Sequence, residues 1–212
     1  MPQLSAVVVA GGNGVRSGEV RQETAMISTL GRPSIDYVLE ALRGCREVSE
    51  VIVSVTGSTP LTEAHVRSRG YPAVSVPESR GIADLGLVMQ LVSTPFVLVV
   101  PANLPLLRSE SIDSVVDAFY RSKRSSLVVG VPIDDVQEII TDPTTVMDMD
   151  GVRAAPCGVR IMDRGRTMGL SPPDVAYLVT DLEDFDVAVD NVGELEIAER
   201  ILSARQRRRI PG

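Results

Sequence analysis

The chain has 212 residues, 44% of them hydrophobic and 23% charged, which is enough for one well-buried α/β core and short for two. Its formal net charge of −7 disfavours a nonspecific nucleic-acid binder, and no apolar run is long enough to span a bilayer. Only 3% of the residues are aromatic and none is Trp, so Val, Leu, Ile and Ala must build the core. That composition suits strands buried on both faces and packed against helices. Cys45 and Cys157 lie far apart with no metal-type spacing and read as free thiols. With no basic leader or cleavage pattern before the first apolar run, a cytoplasmic protein is expected.

Residues 4–10 form a continuous apolar run that ends in Gly11-Gly12-Asn13-Gly14, the pattern of a buried strand feeding a glycine loop. Pro33 marks a helix start, Ile35, Val38, Leu39 and Leu42 follow at helical spacing, and Gly44 is the expected C-cap. Residues 51–55 predict a second strand, 73–76 a short third, 82–91 a helix, and 96–100 the most apolar strand, ending at Pro101-Ala102-Asn103. Ser109 is placed to cap a helix whose buried stripe is Ile112, Val115, Val116 and Phe119, and residues 127–131 predict another strand. This alternation predicts an α/β fold, Rossmann-like, with a mostly parallel central sheet and helices on both faces.

From Thr144 onward the pattern changes. Asp150-Gly151 between Val146 and Val152 signals a late β-hairpin insertion, with a strand over 159–162 beyond it. A strand over 186–189 and an amphipathic helix over 193–202 complete the chain. No repeat or Pro/Gly/Ser-rich linker divides it, so residues 1–212 read as a single domain.

The loop Ala10-Gly11-Gly12-Asn13-Gly14-Val15-Arg16 carries the functional signal. Glycines let successive backbone N–H groups face an anion, and an arginine just behind them can pair with phosphate oxygens. A dinucleotide fingerprint would need glycine at Ser17, and a P-loop would need Gly-Lys-Ser/Thr; neither is present. The spacing matches the G-G-x-G-x-R signature of nucleotidyltransferases, placed directly after the first strand. Gly31-Arg32-Pro33-Ser34-Ile35-Asp36-Tyr37-Val38 resembles a second segment of the same superfamily. Taken end to end, the chain most resembles the archaeal-type GTP:adenosylcobinamide-phosphate guanylyltransferases. The similar stretches are the loop, 31–38, Gly81-Ile82-Ala83-Asp84-Leu85, 94–106, Pro156-Cys157-Gly158-Val159 and 187–202.

The resemblance implies that GTP binds with its triphosphate on Ala10, Gly11, Gly12, Asn13 and Gly14, with Arg16 as a catalytic phosphate partner. A phosphorylated small-molecule acceptor then attacks the α-phosphorus and pyrophosphate leaves. It implies a homodimer and Mg²⁺, and no nucleic-acid partner or membrane span. Relatives carry a lysine before a proline where this chain reads Glu23-Thr24-Ala25-Met26, and Lys123 is the only lysine present, so Arg21 is the candidate substitute. Relatives also place Asp at the position of Asn103 and Asn-Thr where this chain has Asp190-Asn191. The implied metal-side pair is therefore Asn103 with Asp190, an exchange of amide and carboxylate, and magnesium needs no more than one or two protein carboxylates. The other reading of Asp190 is a cap for the final helix. Asp84 and Gly158 are candidates for the nucleotide pocket, against a solvated helix residue and a simple turn. Thr56-Gly57-Ser58 ends a strand on the ligand-binding edge of such sheets. His65 reads as exposed surface, Asp134-Asp135 and the acidic run 181–186 as solvated loops, and the arginine tail 205–209 as the frayed end of the last helix, where cations suit the dipole. Two function classes remain: a guanylyltransferase, acting on adenosylcobinamide phosphate or on another acceptor such as molybdopterin, and a non-catalytic GTP-binding regulator or scaffold.

Overall fold

The computed structural model describes residues 3–17, 20–77, 83–133, 146–167 and 174–209. Strand β1 (Leu4–Val9) leads into an antiparallel ribbon of β2 (Asn13–Ser17) and β3 (Val20–Glu23), then a 3₁₀ turn at Thr24–Met26. A second ribbon, β4 (Ser28–Thr29) with β5 (Arg32–Pro33), turns the chain into α1 (Ser34–Arg43). Next come β6 (Val48–Val55), α2 (Pro60–Ser68), β7 (Ala73–Ser75), α3 (Ala83–Leu91) and β8 (Phe96–Pro101). The second half holds α4 (Ser109–Ser122), β9 (Ser126–Pro132), β10 (Met147–Met149) and β11 (Val152–Asp163). It closes with α5 (Arg164–Thr167), β12 (Val175–Val179), α6 (Glu183–Asp186) and α7 (Val192–Arg209).

Seven strands hydrogen-bond in the order β12-β9-β11-β8-β1-β6-β7, with β10 paired to β11 off that path. β1 is parallel to both β6 and β8, whereas β11 runs antiparallel between β8 and β9. The sheet is thus mostly parallel, as expected. Asp150 (φ 54°) and Gly151 (φ 87°) both take left-handed backbone, the turn that a two-residue hairpin between β10 and β11 requires.

Alternation along the strands sorts the core into two layers. Leu4, Ala6 and Val8 of β1 join Val53, Val55, Leu98 and Val100 on one face, beneath α1 and α4. Val7, Ile52, Val97 and Val99 form the other face with Val88, Met89 and Val92, the first two of these from α3. The few aromatic residues concentrate on the first face. There the rings of Phe96 and Phe119 stand 5.2 Å apart edge-to-face, and Phe119 lies 5.6 Å from Tyr120.

Several expectations are corrected. Gly44 is the C-cap of α1 as expected, but with right-handed backbone (φ −83°), and it is glycine because a Cβ would collide with Ser109 Oγ. Ser109 caps nothing, since its hydroxyl donates to Ala41 O (2.9 Å) and Arg108 holds the N-cap position of α4. No strand covers 186–189: α6 ends at Asp186, and Val187 and Val189 instead pack against Ala198 and Leu202 of α7. Strand β12 and the ribbons β2–β3 and β4–β5 were not anticipated. Within 181–186, Asp184 is fully buried, taking Arg108 Nε (2.8 Å), Arg205 Nη2 (2.6 Å) and the Ser111 hydroxyl. Arg205 is accordingly part of the packed interior edge and not a frayed tail, and it also donates to Leu106 O (2.7 Å). His65 is not solvated either. Its Nε2 lies 2.8 Å from Asp36 Oδ1, while Arg69 Nη2 lies 2.7 Å from Oδ2 of the same buried carboxylate, which clamps α2 onto α1. The acidic pair Asp134-Asp135, and Gly81 and Ile82 at the expected helix start, lie outside the described residues.

Candidate functional site

The chain crosses from β1 outward to β6 and β7, then returns to the other side of β1 as β8. That reversal opens a crevice beyond the carboxyl ends of β1 and β8, where ligands bind in open α/β sheets. The glycine loop leaves β1 at this point. Ala10 is buried, its N–H donating to Ser54 O (2.8 Å) on β6. On the other flank, Ala102 N donates to Val9 O (3.0 Å), which sets Asn103 beside the root of the loop.

Close contacts explain why the loop is made of glycine. A Cβ on Gly11 would come within 2.6 Å of Thr56 Cγ2, and a Cβ on Gly12 within 3.0 Å of Thr24 Oγ1. Thr24 stands where relatives are expected to carry lysine. Here it turns inward, and both its N–H (3.3 Å) and its hydroxyl (3.0 Å) donate to Gly12 O. Asn13 and Gly14 open β2, paired with Glu23 and Gln22 of β3, and Arg16 pairs with Arg21 across the same ribbon. The backbone thereby brings the two candidate arginines opposite one another.

Glu23 was not singled out from the sequence as a site residue, yet it anchors the ribbon. Its buried carboxylate accepts Leu61 N (2.9 Å), Thr62 N (2.6 Å) and Thr62 Oγ1 (2.5 Å), the orphan donors at the N-terminus of α2. Thr59, the residue at the N-cap position, spends its hydroxyl on Thr56 N (2.9 Å) instead. One carboxylate thus ties the ribbon of the glycine loop to the turn 56–59 that follows β6. The only local signal was a Glu beside the expected lysine position; its partners lie 38 and 39 residues away.

At the other wall, Asn103 Nδ2 donates to Asp190 Oδ1 (2.8 Å) and Val189 N donates to Asn103 O (2.8 Å). The two exchanged residues are therefore side by side. The helix-cap reading of Asp190 is overturned, because Asn191 does that work: Glu194 N donates to Asn191 Oδ1 (3.0 Å) and Asn191 N to Glu194 Oε2 (3.0 Å), a capping box. Partial burial of the Asp190 carboxyl, and then the Glu194 charge, push its pKa up against the opposing hydrogen bond from Asn103. No cation pairs with it among the described residues.

Gly158 closes this side. It sits in a bulge of β11 with φ 87°, and a Cβ there would meet Pro101 Cγ at 2.5 Å, so only glycine lets β11 cross the end of β8 so closely. Asp84 lies in the first turn of α3, placed by its backbone alone. Among the described residues no group of three or more His, Cys, Asp or Glu is arranged to hold a metal, and no helix is long and apolar enough to cross a membrane.

Comparison with known proteins agrees with this layout. Residues 6–141 match the MobA-like NTP transferase domain. The chain is 28% identical over 212 residues to adenosylcobinamide-phosphate guanylyltransferase of Methanocaldococcus jannaschii, covering 94% of this chain and 97% of that one. It is 27% identical over 154 residues to 2-C-methyl-D-erythritol 4-phosphate cytidylyltransferase of Chlamydia abortus, covering 71% of this chain and 66% of that one. Among solved structures, CMP:2-keto-3-deoxy-manno-octonic acid synthetase complexed with CTP shares the fold at a TM-score of 0.70 and 13% identity, covering 97% of this chain and 100% of that one. Because the family match covers more than half of the sequence, from β1 past β9, the chain belongs to the MobA-like NTP transferase domain family and is a nucleotidyltransferase.

Proposed function

We propose that the protein transfers GMP from GTP to the phosphate of adenosylcobinamide phosphate. An acceptor phosphate oxygen bonds to the α-phosphorus of GTP, the bond from that phosphorus to the β-phosphate bridge breaks, and pyrophosphate carries away the electron pair. The carrying observation is the pairing of Asn103 with Asp190 (2.8 Å) beside the root of the glycine loop. This restores on exchanged positions the amide and carboxylate that the resemblance calls for. The end-to-end similarity to the Methanocaldococcus jannaschii guanylyltransferase supports the choice of base and acceptor.

In this reading the backbone of residues 10–14 seats the triphosphate. Arg16 and Arg21, opposed across the ribbon, neutralise charge that develops on the departing pyrophosphate. Asp84, in the first turn of α3, is assigned to the base or ribose, and Gly158 lines the pocket where the two substrates meet. The reaction depends on positioning and charge neutralisation, so no protein nucleophile is required. With Asn103 Nδ2 given to Asp190 Oδ1, the amide oxygen of Asn103 and the second oxygen of Asp190 remain as hard donors, a set that fits Mg²⁺. These two residues would hold the ion together with substrate phosphates, and it would supply further charge neutralisation there. Assembly as a homodimer belongs to the same proposal.

The test is pyrophosphate release from each of the four ribonucleoside triphosphates with Mg²⁺, with and without adenosylcobinamide phosphate. Release from GTP only when that acceptor is present is the expected result. Tight GTP binding with no release under any condition would replace the enzyme reading with a regulator or scaffold. Thr24, in the position of the expected lysine, would then be the residue to change first.

A further inference from the structure

Among the described residues Arg160 is a cation without a counter-charge. It lies on β11, its Cα opposite Val99 of β8 and Val128 of β9. Alternation sets it on the second face of the sheet with Val99 and Met162, while Val159 and Ile161 point into the first. Its Nε is enclosed and has no hydrogen-bond partner. Burial pushes the guanidinium pKa down, and among the described residues no carboxylate opposes that. Three other arginines that reach inward meet an acid: Arg108 and Arg205 share Asp184, and Arg69 meets Asp36. A partly buried guanidinium left unmatched is costly, and its planar fork suits an anion with several oxygens, above all a phosphate.

Its place in the sheet says which phosphate. β11 enters the sheet at the ligand-binding edge, where Gly158 crosses Pro101, and Arg160 follows two residues later. At strand spacing that is about 7 Å in from the edge, within the span of one arginine side chain. β11 stands two strands from β1, across β8, which is about 10 Å from the strand that carries the glycine loop. An anion at Arg160 is therefore a second one, distinct from the group seated on residues 10–14, and it lies one strand from Asn103. We propose that Arg160 receives the phosphate monoester of the acceptor and holds it at the β8–β11 bulge, an assignment that rests on the transfer reaction proposed above.

The test compares the full-length protein with Arg160→Met and Arg160→Lys. With GTP saturating and adenosylcobinamide phosphate varied, Arg160→Met raises the acceptor KM by about tenfold or more and leaves the GTP KM within about twofold, while Arg160→Lys recovers part of the loss. The melting temperature of Arg160→Met without ligand stays level or rises, because an unmatched charge has been removed from a partly buried position. A rise confined to the GTP KM assigns the arginine to the triphosphate and overturns the inference. Unchanged KM values, with or without a lower melting temperature, overturn it in favour of a packing role. If the wild-type protein releases no pyrophosphate with any acceptor, the transfer reaction fails on its own terms, and inorganic phosphate then decides the site. A phosphate-induced rise in melting temperature that Arg160→Met loses upholds an anion receptor, whereas equal rises in both proteins overturn it.

Discussion

Asp184, inside α6, and Asp190, on the connection from α6 to α7, stand six residues apart, and they are opposite kinds of carboxylate. Asp184 is fully buried and answered inside the chain by two arginines and a serine hydroxyl. Asp190 lies at the crevice and is answered by one amide; partial burial of its carboxyl, and then the Glu194 charge, push its pKa up. A carboxylate whose charge is balanced internally fastens elements together. One whose charge is not balanced internally stays available to solvent or to a cation from outside. The acidic run 181–186 looks uniform as a string of letters, and only the positions of Arg108 and Arg205 separate the fastener from the rest.

The sharpest way to break this comparison is to remove each acid in turn. Asp184→Ala is expected to destabilise the fold by about 2–3 kcal/mol in chemical denaturation, less than for a fully enclosed triad because Arg108 remains half-exposed and can hydrate. Activity per folded molecule should survive. Asp190→Asn should do the reverse, lowering turnover by about a hundredfold while leaving the denaturation midpoint level. Were Asp190→Asn to cost stability and spare turnover, Asp190 would be a second fastener and the metal-side pair would be wrong.

The glycine wall offers a smaller effect with a built-in rescue. Gly11→Ala is expected to weaken GTP binding by about tenfold, since its methyl would press on Thr56 Cγ2. Thr56→Ser removes that carbon, so the double variant should recover affinity in a nucleotide titration; failure to recover would mean that backbone conformation, and not the neighbour, demands glycine. The smallest effect concerns the thiols. Burial holds both Cys45 and Cys157 up at about 12. In the unfolded chain a thiol titrates near about 8.5, so the stability this shift contributes is intact below that pH and is lost as pH rises toward 12. Iodoacetamide at pH 8 should label neither cysteine until denaturant is added, and early labelling of Cys157 would show that its side of the site opens.

What could be read from the sequence was what local chemistry decides. The buried run of β1 with its glycines, the Asp150-Gly151 hairpin and the apolar stripe of α4 each carry their signal within a dozen residues. The nearness of Asn103 to Asp190 was also legible, through a pattern of residue types that only a resemblance supplies. What stayed hidden depends on distant partners. Asp184 meets Arg108 across 76 residues, and Asp36 meets His65 across 29, so neither could be told from a solvated acid. β12 was missed although Val175–Val179 is apolar, because five residues without alternation fit a strand or a buried helix turn equally well. The ribbon β2–β3 was missed for the opposite reason: Asn13–Ser17 carries no apolar run, and the Glu23 carboxylate that ties its end to α2 finds its partners 38 and 39 residues away.

That tie changes where nucleotide binding would be felt. Glu23 belongs to the ribbon of the phosphate loop, yet the protons it holds are the amides of Leu61 and Thr62, and the far turn of α2 is bolted to α1 through His65, Arg69 and Asp36. The loop is therefore tied to a helix that lies outside the glycine segment itself. Any ligand that quiets the loop also slows the opening of that helix end, so amide exchange at positions 61 and 62 becomes a remote gauge of site occupancy.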